Sequence, residues 1–235
     1  QDQRTLSGIT LEARPGQTIG IVGPPGSGKT TIAHLIGRYY DVDAGRITID
    51  GQDIRDVTLT SLRRAVNIVQ QEPFLFTAGI DHNLAYGDPW AGRGDIERSA
   101  ATAQLHNYIE SLPKGYQTLV GERGVSLSGG QRQRLSIARS VLVGGAVLVF
   151  DDSTAAIDAA TEQRITAALR DVVKTRAVII IAHRLSSLIH ADEIVFLDGG
   201  KIIERGSHDE LIALNGRYAS LYALQTRIDD ADENR

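Results

Sequence analysis

One stretch constrains this chain more than any other: Gly23-Pro24-Pro25-Gly26-Ser27-Gly28-Lys29-Thr30, which fits the pattern G-x-x-x-x-G-K-[ST]. It follows the apolar run Thr18 to Val22, which predicts a buried strand. It opens into Lys29 to Tyr39, where Ile32, Leu35 and Ile36 recur at helical spacing. The glycines let backbone N–H groups turn inward around phosphate oxygens, and the helix start presents its positive dipole end to the same anion. Lys29 is placed to reach β- and γ-phosphates, and the Thr30 hydroxyl is a candidate Mg²⁺ ligand. Gly23 to Thr30, with Thr31 behind them, are therefore the candidate nucleotide-binding residues.

A second strand ends in carboxylates: Val147-Leu148-Val149-Phe150-Asp151-Asp152. Asp151 is a candidate for the Mg²⁺ shell opposite the phosphate loop, and Asp152 for polarising an attacking water. Further strands are predicted at Ile47 to Ile49, closed by the Asp50-Gly51 turn, and at Val66 to Val69, Ala146 to Phe150 and Ala177 to Ala182. Ile194 to Leu197 and Lys201 to Glu204 flank Asp198-Gly199-Gly200 as a hairpin. Helices are predicted at about 159–173 and over His208 to Thr226, followed by a polar tail, 227–235, expected to be mobile. Ile80 to about Val143 reads as helices and loops. Alternating strands and helices imply an α/β fold. The expected division is a core of about 1–79 and 144–226 with an inserted helical subdomain of about 80–143.

Composition removes several classes. With 235 residues, 42% of them hydrophobic, the chain is large enough for a full core. It has no Cys, which excludes disulfide frameworks, thiolate zinc sites and cysteine nucleophiles, and which fits a reducing compartment. No apolar run approaches the roughly 18–20 residues of a membrane span, and no secretory signal is expected from the first residues. The net charge of −4 argues against a broad nucleic-acid face, so no nucleic-acid partner is expected. The chain begins at Gln1 and contains no Met, so a piece of a longer protein is expected.

Leu127-Ser128-Gly129-Gly130-Gln131 is more specific still. An LSGGQ run between a phosphate loop and a carboxylate-ended strand resembles the signature of the ABC ATPases, and the resemblance extends over nearly the whole chain. Gln71 lies where that family has its Q-loop glutamine, Ala155-Ala156-Ile157-Asp158 resembles the D-loop, and His183 matches the switch histidine. Thr118 to Gly124, including Glu122, resembles the X-loop of exporter-type members, and Gly206 to Leu211 their usual C-terminal ending. The resemblance implies a P-loop NTPase (RecA-like) core with an antiparallel β subdomain and a helical subdomain carrying the signature. It implies ATP and Mg²⁺ as cofactors, with Thr30, Gln71 and Asp151 at the metal and Asp152, Gln71 and His183 as catalytic residues. It implies a head-to-tail dimer, in which Ser128, Gly129, Gly130 and Gln131 face the partner's ATP, and it makes Asp158 the D-loop aspartate. It further implies a transmembrane domain normally fused N-terminally, and a location on the cytoplasmic face of a membrane. Independently of the family, Ser128 is a suitable N-cap for the helix suggested by Leu135, Ile137 and Ala138.

The chain departs from that family at informative places. Active members usually carry Glu after the strand-end Asp; here it is Asp152, one methylene shorter. Since about 1 Å of misplacement can cost roughly 100-fold, slow hydrolysis at this site is expected, as in heterodimeric exporters with one weak site. An active homodimer with Asp152 as base is the alternative. Ser153 and Ala155 are smaller departures. The family's adenine-stacking aromatic lies upstream of Thr5 to Ile9, a stretch expected to be a strand, and no aromatic precedes Tyr39. Phe74 to Gly79 is the expected contact with a transmembrane domain. Tyr39-Tyr40 and Phe74-Leu75-Phe76 suit core or interface, and Arg132, Arg134 and Arg139 suggest a solvated, phosphate-facing helix. The rival functions are an ATP-dependent regulatory clamp without turnover, a soluble ABC ATPase, and an importer ATPase made as a separate chain.

Overall fold

A computed structural model describes residues 5–121, 125–152 and 156–233. Its spine is a six-stranded sheet of β1 (Thr18–Val22), β4 (Val66–Val69), β5 (Val147–Asp151), β6 (Ala177–Ile181), β7 (Glu193–Asp198) and β8 (Lys201–Gly206). The spatial order is β4-β5-β6-β1-β7-β8, all parallel except the final β7–β8 hairpin. The small strands β2 (Thr48–Ile49) and β3 (Gln52–Asp53) pair antiparallel in a separate ribbon.

Side-chain alternation along the central strands builds two apolar layers. Ile21, Val149, Ile179, Ile181, Val195 and Leu197 point to one face, where Ile32 and Ala33 of α1 (Lys29–Ile36) and Leu62 of α2 (Leu59–Ala65) cover them. Leu148, Phe150 and Val178 point to the other, toward Ile80 and Leu84 of α3 (Ile80–Leu84). The same cluster takes in Ala100 of α4 (Arg93–Thr102), Ile109 of α5 (His106–Glu110), Leu135 and Ile137 of α6 (Gly129–Val143), and Ile165 of α7 (Ala159–Val173). Each such buried Leu or Ile contributes about 1.5–3 kcal/mol of transfer free energy. A third cluster joins Val22, Ile194 and Phe196 to Leu185, Leu188, Leu211 of α8 (His208–Leu214) and Tyr218 of α9 (Arg217–Glu233).

Several expectations shift. α1 stops at Ile36, because Gly37 and the left-handed Arg38 (φ 52°) turn the chain before Tyr39. α2 was not anticipated; Thr58 caps it by accepting from the Ser61 N–H at 3.2 Å, but its short apolar spacing buries only Leu62. The C-terminal helix is two helices, broken where Asn215 takes a left-handed φ of 52°. The helix then continues to Glu233, through most of the stretch read as a polar tail. Thr5 to Ile9 is not a strand; it is held instead by the Ser7 N–H donating to the Gly200 carbonyl at 2.8 Å. Arg134 and Arg139 are half-buried rather than solvated, since carbonyls of Gln104 (2.7 Å) and Asn83 (2.8 Å) take their guanidinium protons. Among the described residues, no helix is long and apolar enough to cross a membrane.

Candidate functional site

In an open parallel sheet, ligands bind beyond the carboxyl ends of the strands, where the loops diverge. Four strands here release their loops at that edge: β1 into Gly23, β4 into Gln70-Gln71, β5 into Asp151-Asp152, and β6 into Ala182-His183. The topology thus gathers residues that are up to 160 positions apart, from Gly23 to His183.

The Gly23 loop is built around close approach. A Cβ on Gly23 would lie 1.9 Å from the Leu197 carbonyl oxygen, so only glycine lets β1 leave the sheet there. Gly28 takes φ +103° as the N-cap of α1 with no side chain closing the helix end, leaving the first-turn N–H groups directed outward from that end. Lys29 is 6% exposed, and its Nζ donates to the carbonyls of Gly23 (2.8 Å) and Pro24 (3.0 Å) across the loop. Burial lowers its pKa, while the charges of Asp152 and Asp151 oppose that shift. Ser27 is also buried, and its hydroxyl has no hydrogen-bond partner among the described residues. Such a donor beside a helix N-terminus and a lysine fits phosphate oxygens.

Thr30 is the second residue of the same helix, and its hydroxyl donates to Asp151 Oδ1 at 3.2 Å. Burial raises the Asp151 pKa; the hydroxyl bond and the nearby His34 offset part of that rise. A hydroxyl and a carboxylate side by side are hard oxygen donors of the kind Mg²⁺ takes when it also binds phosphates. Asp152 follows in a left-handed conformation, φ +47°, with its N–H donating to the Ile181 carbonyl at 2.9 Å. Its carboxylate accepts from Gln71 Nε2 at 3.2 Å and lies 3.9 Å from His183 Nε2. Gln71 therefore meets Asp152 rather than the Thr30–Asp151 pair.

Ser128, Gly129, Gly130 and Gln131 sit apart from this group. Ser128 caps α6 by accepting from the Gln131 N–H at 3.2 Å, while the Gln131 side chain accepts from the Ser128 N–H at 2.8 Å. Gly130 packs so closely on the Ala156 backbone that a Cβ would fall 2.8 Å from its carbonyl oxygen. Asp158 caps α7 through the Thr161 N–H at 2.9 Å, which holds its carboxyl below the ordinary range. Glu122, Ser153 and Ala155 lie outside the described residues.

Two glutamines escaped the sequence reading. Gln133, buried in α6, donates to the Gln71 carbonyl at 3.3 Å and accepts from the Ala156 N–H at 3.0 Å. Gln225 of α9 reaches the backbone of the His183 loop. The only available signal was a glutamine at a core-facing helical position, which does not name its partner.

The ABC transporter family model matches residues 6–155. The ABC transporter ATP-binding protein YknU of Bacillus subtilis (strain 168) is 45% identical over 227 residues, covering 97% of this chain and 39% of that protein. The ATP-dependent lipid A-core flippase of Thiobacillus denitrificans is 47% identical over 221 residues, covering 94% of this chain and 38% of the flippase. A solved bacterial Atm1-family ABC exporter with ATP bound superposes with a TM-score of 0.91 at 46% identity, over 96% of this chain and 39% of that one. The chain thus spans about two fifths of the length of these relatives. With a family model matching most of the chain and relatives at 45–47% identity, the chain belongs to the ABC transporter family.

Proposed function

We propose that this domain binds Mg·ATP across the carboxyl edge of its sheet, and that two such domains close head to tail around two nucleotides to drive a membrane exporter. The observation that carries the reading is the meeting of Gln71 and His183 at the Asp152 carboxylate, next to the Thr30–Asp151 pair. Lys29 and the backbone N–H groups of Gly26 to Lys29 hold the phosphates. Thr30 and Asp151 are the residues that would hold Mg²⁺, and Gln71 would join them only by leaving Asp152. Bound there, the cation would neutralise charge on the β- and γ-phosphates.

Hydrolysis asks little covalent chemistry of the protein, so positioning dominates. The Asp152 carboxylate takes the proton of the attacking water. Gln71 keeps that carboxylate aimed, and His183 orients the γ-phosphate from the other side. Ser128 to Gln131 and Asp158 serve the second domain's nucleotide. The close packing of Gly130 on Ala156 supports this, because it fixes the signature helix start to the D-loop as one surface.

A transmembrane partner is supported by the length of the relatives and by an aromatic patch after the Q-loop. Phe74 is 67% exposed, and Phe76 stacks on the exposed Tyr86 with ring centroids 4.2 Å apart. That patch is the surface we assign to the transmembrane domain, and the reading has this domain on the cytoplasmic face.

A second reading is favoured by one residue. Asp152 is a short carboxylate on a left-handed backbone, an arrangement that leaves it little freedom to reach further. This site is then the slow half of a heterodimer. Phosphate release from Mg·ATP across protein concentration, wild type against Asp152→Glu, separates the two. A rise of tenfold or more, about 1.4 kcal/mol of barrier, assigns the slow site to Asp152. Equal, concentration-dependent rates assign an active homodimer. Turnover absent from both proteins favours the regulatory clamp.

A further inference from the structure

The loop that carries His183 is held from outside the sheet. Gln225 Nε2 donates to the His183 carbonyl at 2.6 Å, and Gln225 Oε1 accepts from the Leu185 N–H at 2.9 Å. One primary amide thus spans the backbone on both sides of Arg184. A primary amide supplies a donor and an acceptor from two atoms of one planar group, which suits this pair of backbone partners.

The arm that presents this amide is firmly anchored. At the start of α9 the Arg217 and Tyr218 N–H groups both donate to the Glu204 carboxylate of β8. Tyr218 is fully buried, and its hydroxyl meets His208 Nδ1 at 2.8 Å. Tyr218, Leu221, Tyr222 and Gln225 follow one another at i, i+3, i+4 and i+7, so they share one helix face. The first three pack in the cluster that also contains Leu185 and Leu188. Gln225 is the polar end of an apolar stripe, aimed at the loop whose next residues that stripe buries.

We propose that Gln225 is a positioning residue for His183, so that the C-terminal helix α9 is a working part of the ATP site rather than a trailing element. The proposal rests on the reading that His183 acts at the γ-phosphate. Gln225 touches neither nucleotide nor reacting atoms. It fixes the 183–185 backbone so that the imidazole stays opposite Asp152, 3.9 Å away. Freed from that tie, the loop keeps its apolar anchors at Leu185 and Leu188 but loses the constraint on His183 itself.

The test compares wild type, Gln225→Leu, Gln225→Glu and His183→Ala of the same chain, by hydrogen exchange at the Leu185 amide, by Mg·ATP turnover and by thermal unfolding. For Gln225→Leu the expectation is faster exchange at Leu185, with kcat lowered about 10- to 100-fold and KM unchanged within about twofold. Gln225→Glu keeps the acceptor for the Leu185 N–H but loses the donor to the His183 carbonyl. It is expected to keep most of the Leu185 protection while losing kcat, and it decides the matter if Gln225→Leu unfolds. Unchanged Leu185 exchange in Gln225→Leu overturns the tie. Faster exchange with wild-type kcat overturns the positioning role. A fall in kcat that merely tracks the unfolding midpoint overturns it too. If His183→Ala turns over ATP at the wild-type rate, the role of His183 itself fails. If His183→Ala is impaired and Gln225→Leu is not, only the Gln225 proposal fails.

Discussion

The helix after the phosphate loop, α1, and the LSGGQ helix, α6, both begin beside glycines, and their N-termini are finished in opposite ways. At α1 the N-cap is Gly28, left-handed and without any side chain to close the helix end. At α6 the N-cap is Ser128, closed reciprocally with Gln131. A helix start leaves unsatisfied N–H groups, and these ends satisfy them differently. α1 keeps its donors for a ligand and adds a buried lysine beside them; α6 has already spent part of its donors on its own side chains. On the proposed reading the first end holds anionic charge within this chain. The second is self-sufficient, which on the proposed reading keeps it ordered whether or not a second domain's nucleotide is close.

The largest expected effect falls on the open end. Lys29→Ala should lower Mg·ATP turnover by about 10³-fold, some 4 kcal/mol of barrier, measured by phosphate release. A loss below tenfold would mean the loop works without its cation and would erase the contrast. Next, Gly23→Ala puts a Cβ 1.9 Å from the Leu197 carbonyl, so the loop or β7 must move. A destabilisation of about 2–3 kcal/mol in urea unfolding is expected. Ser128→Ala removes the closed cap and should cost about 1 kcal/mol in the same assay, leaving nucleotide affinity of the isolated domain unchanged. A Ser128→Ala domain that loses ATP affinity at low concentration would place α6 at this chain's own nucleotide.

The smallest effect has the opposite sign. Burial raises the Asp151 pKa, so between the unfolded value of 3.8 and the raised folded value the native state binds the extra proton. This contribution to stability therefore falls as pH rises through that window, and the penalty for the ionised group is complete above it. Asp151→Asn keeps an acceptor for the Thr30 hydroxyl and removes that penalty. Its thermal midpoint should exceed wild type at neutral pH, with the gain shrinking as pH falls toward 3.8. A midpoint below wild type at pH 7 would mean the carboxylate is stabilised by its surroundings, and that the pair with Thr30 is structural.

Local rules read much of this molecule. β1, β4 and α7 fall at the predicted residues, because buried strands and an amphipathic helix each write their period into the chain. The Ser128 cap was legible for the same reason, since a cap and its helix are neighbours in sequence. Arg139 shows where such rules stop. On α6 alone it looks solvated. In the fold it donates to the carbonyls of Asn83 and Phe74, and its guanidinium lies 5.9 Å from the ring of Phe76. Gln133 and Gln225 stop there too, because their partners are backbone groups 62 and 42 residues away.

What the sequence by itself determined is the chemistry available: a glycine-rich loop with Lys29 and Thr30, a strand ending in Asp151-Asp152, an LSGGQ helix start, and the family these identify. Each is a short run whose residues act on their immediate neighbours. What only the tertiary structure decided is which of these groups face one another. The parallel order β4-β5-β6-β1 brings Gln71, Asp152, His183 and the phosphate loop to one edge, and α9 crosses over to hold the His183 loop. Such contacts depend on strand order and helix crossing, which follow from burying all the apolar faces at once, and no local stretch of sequence encodes that sum.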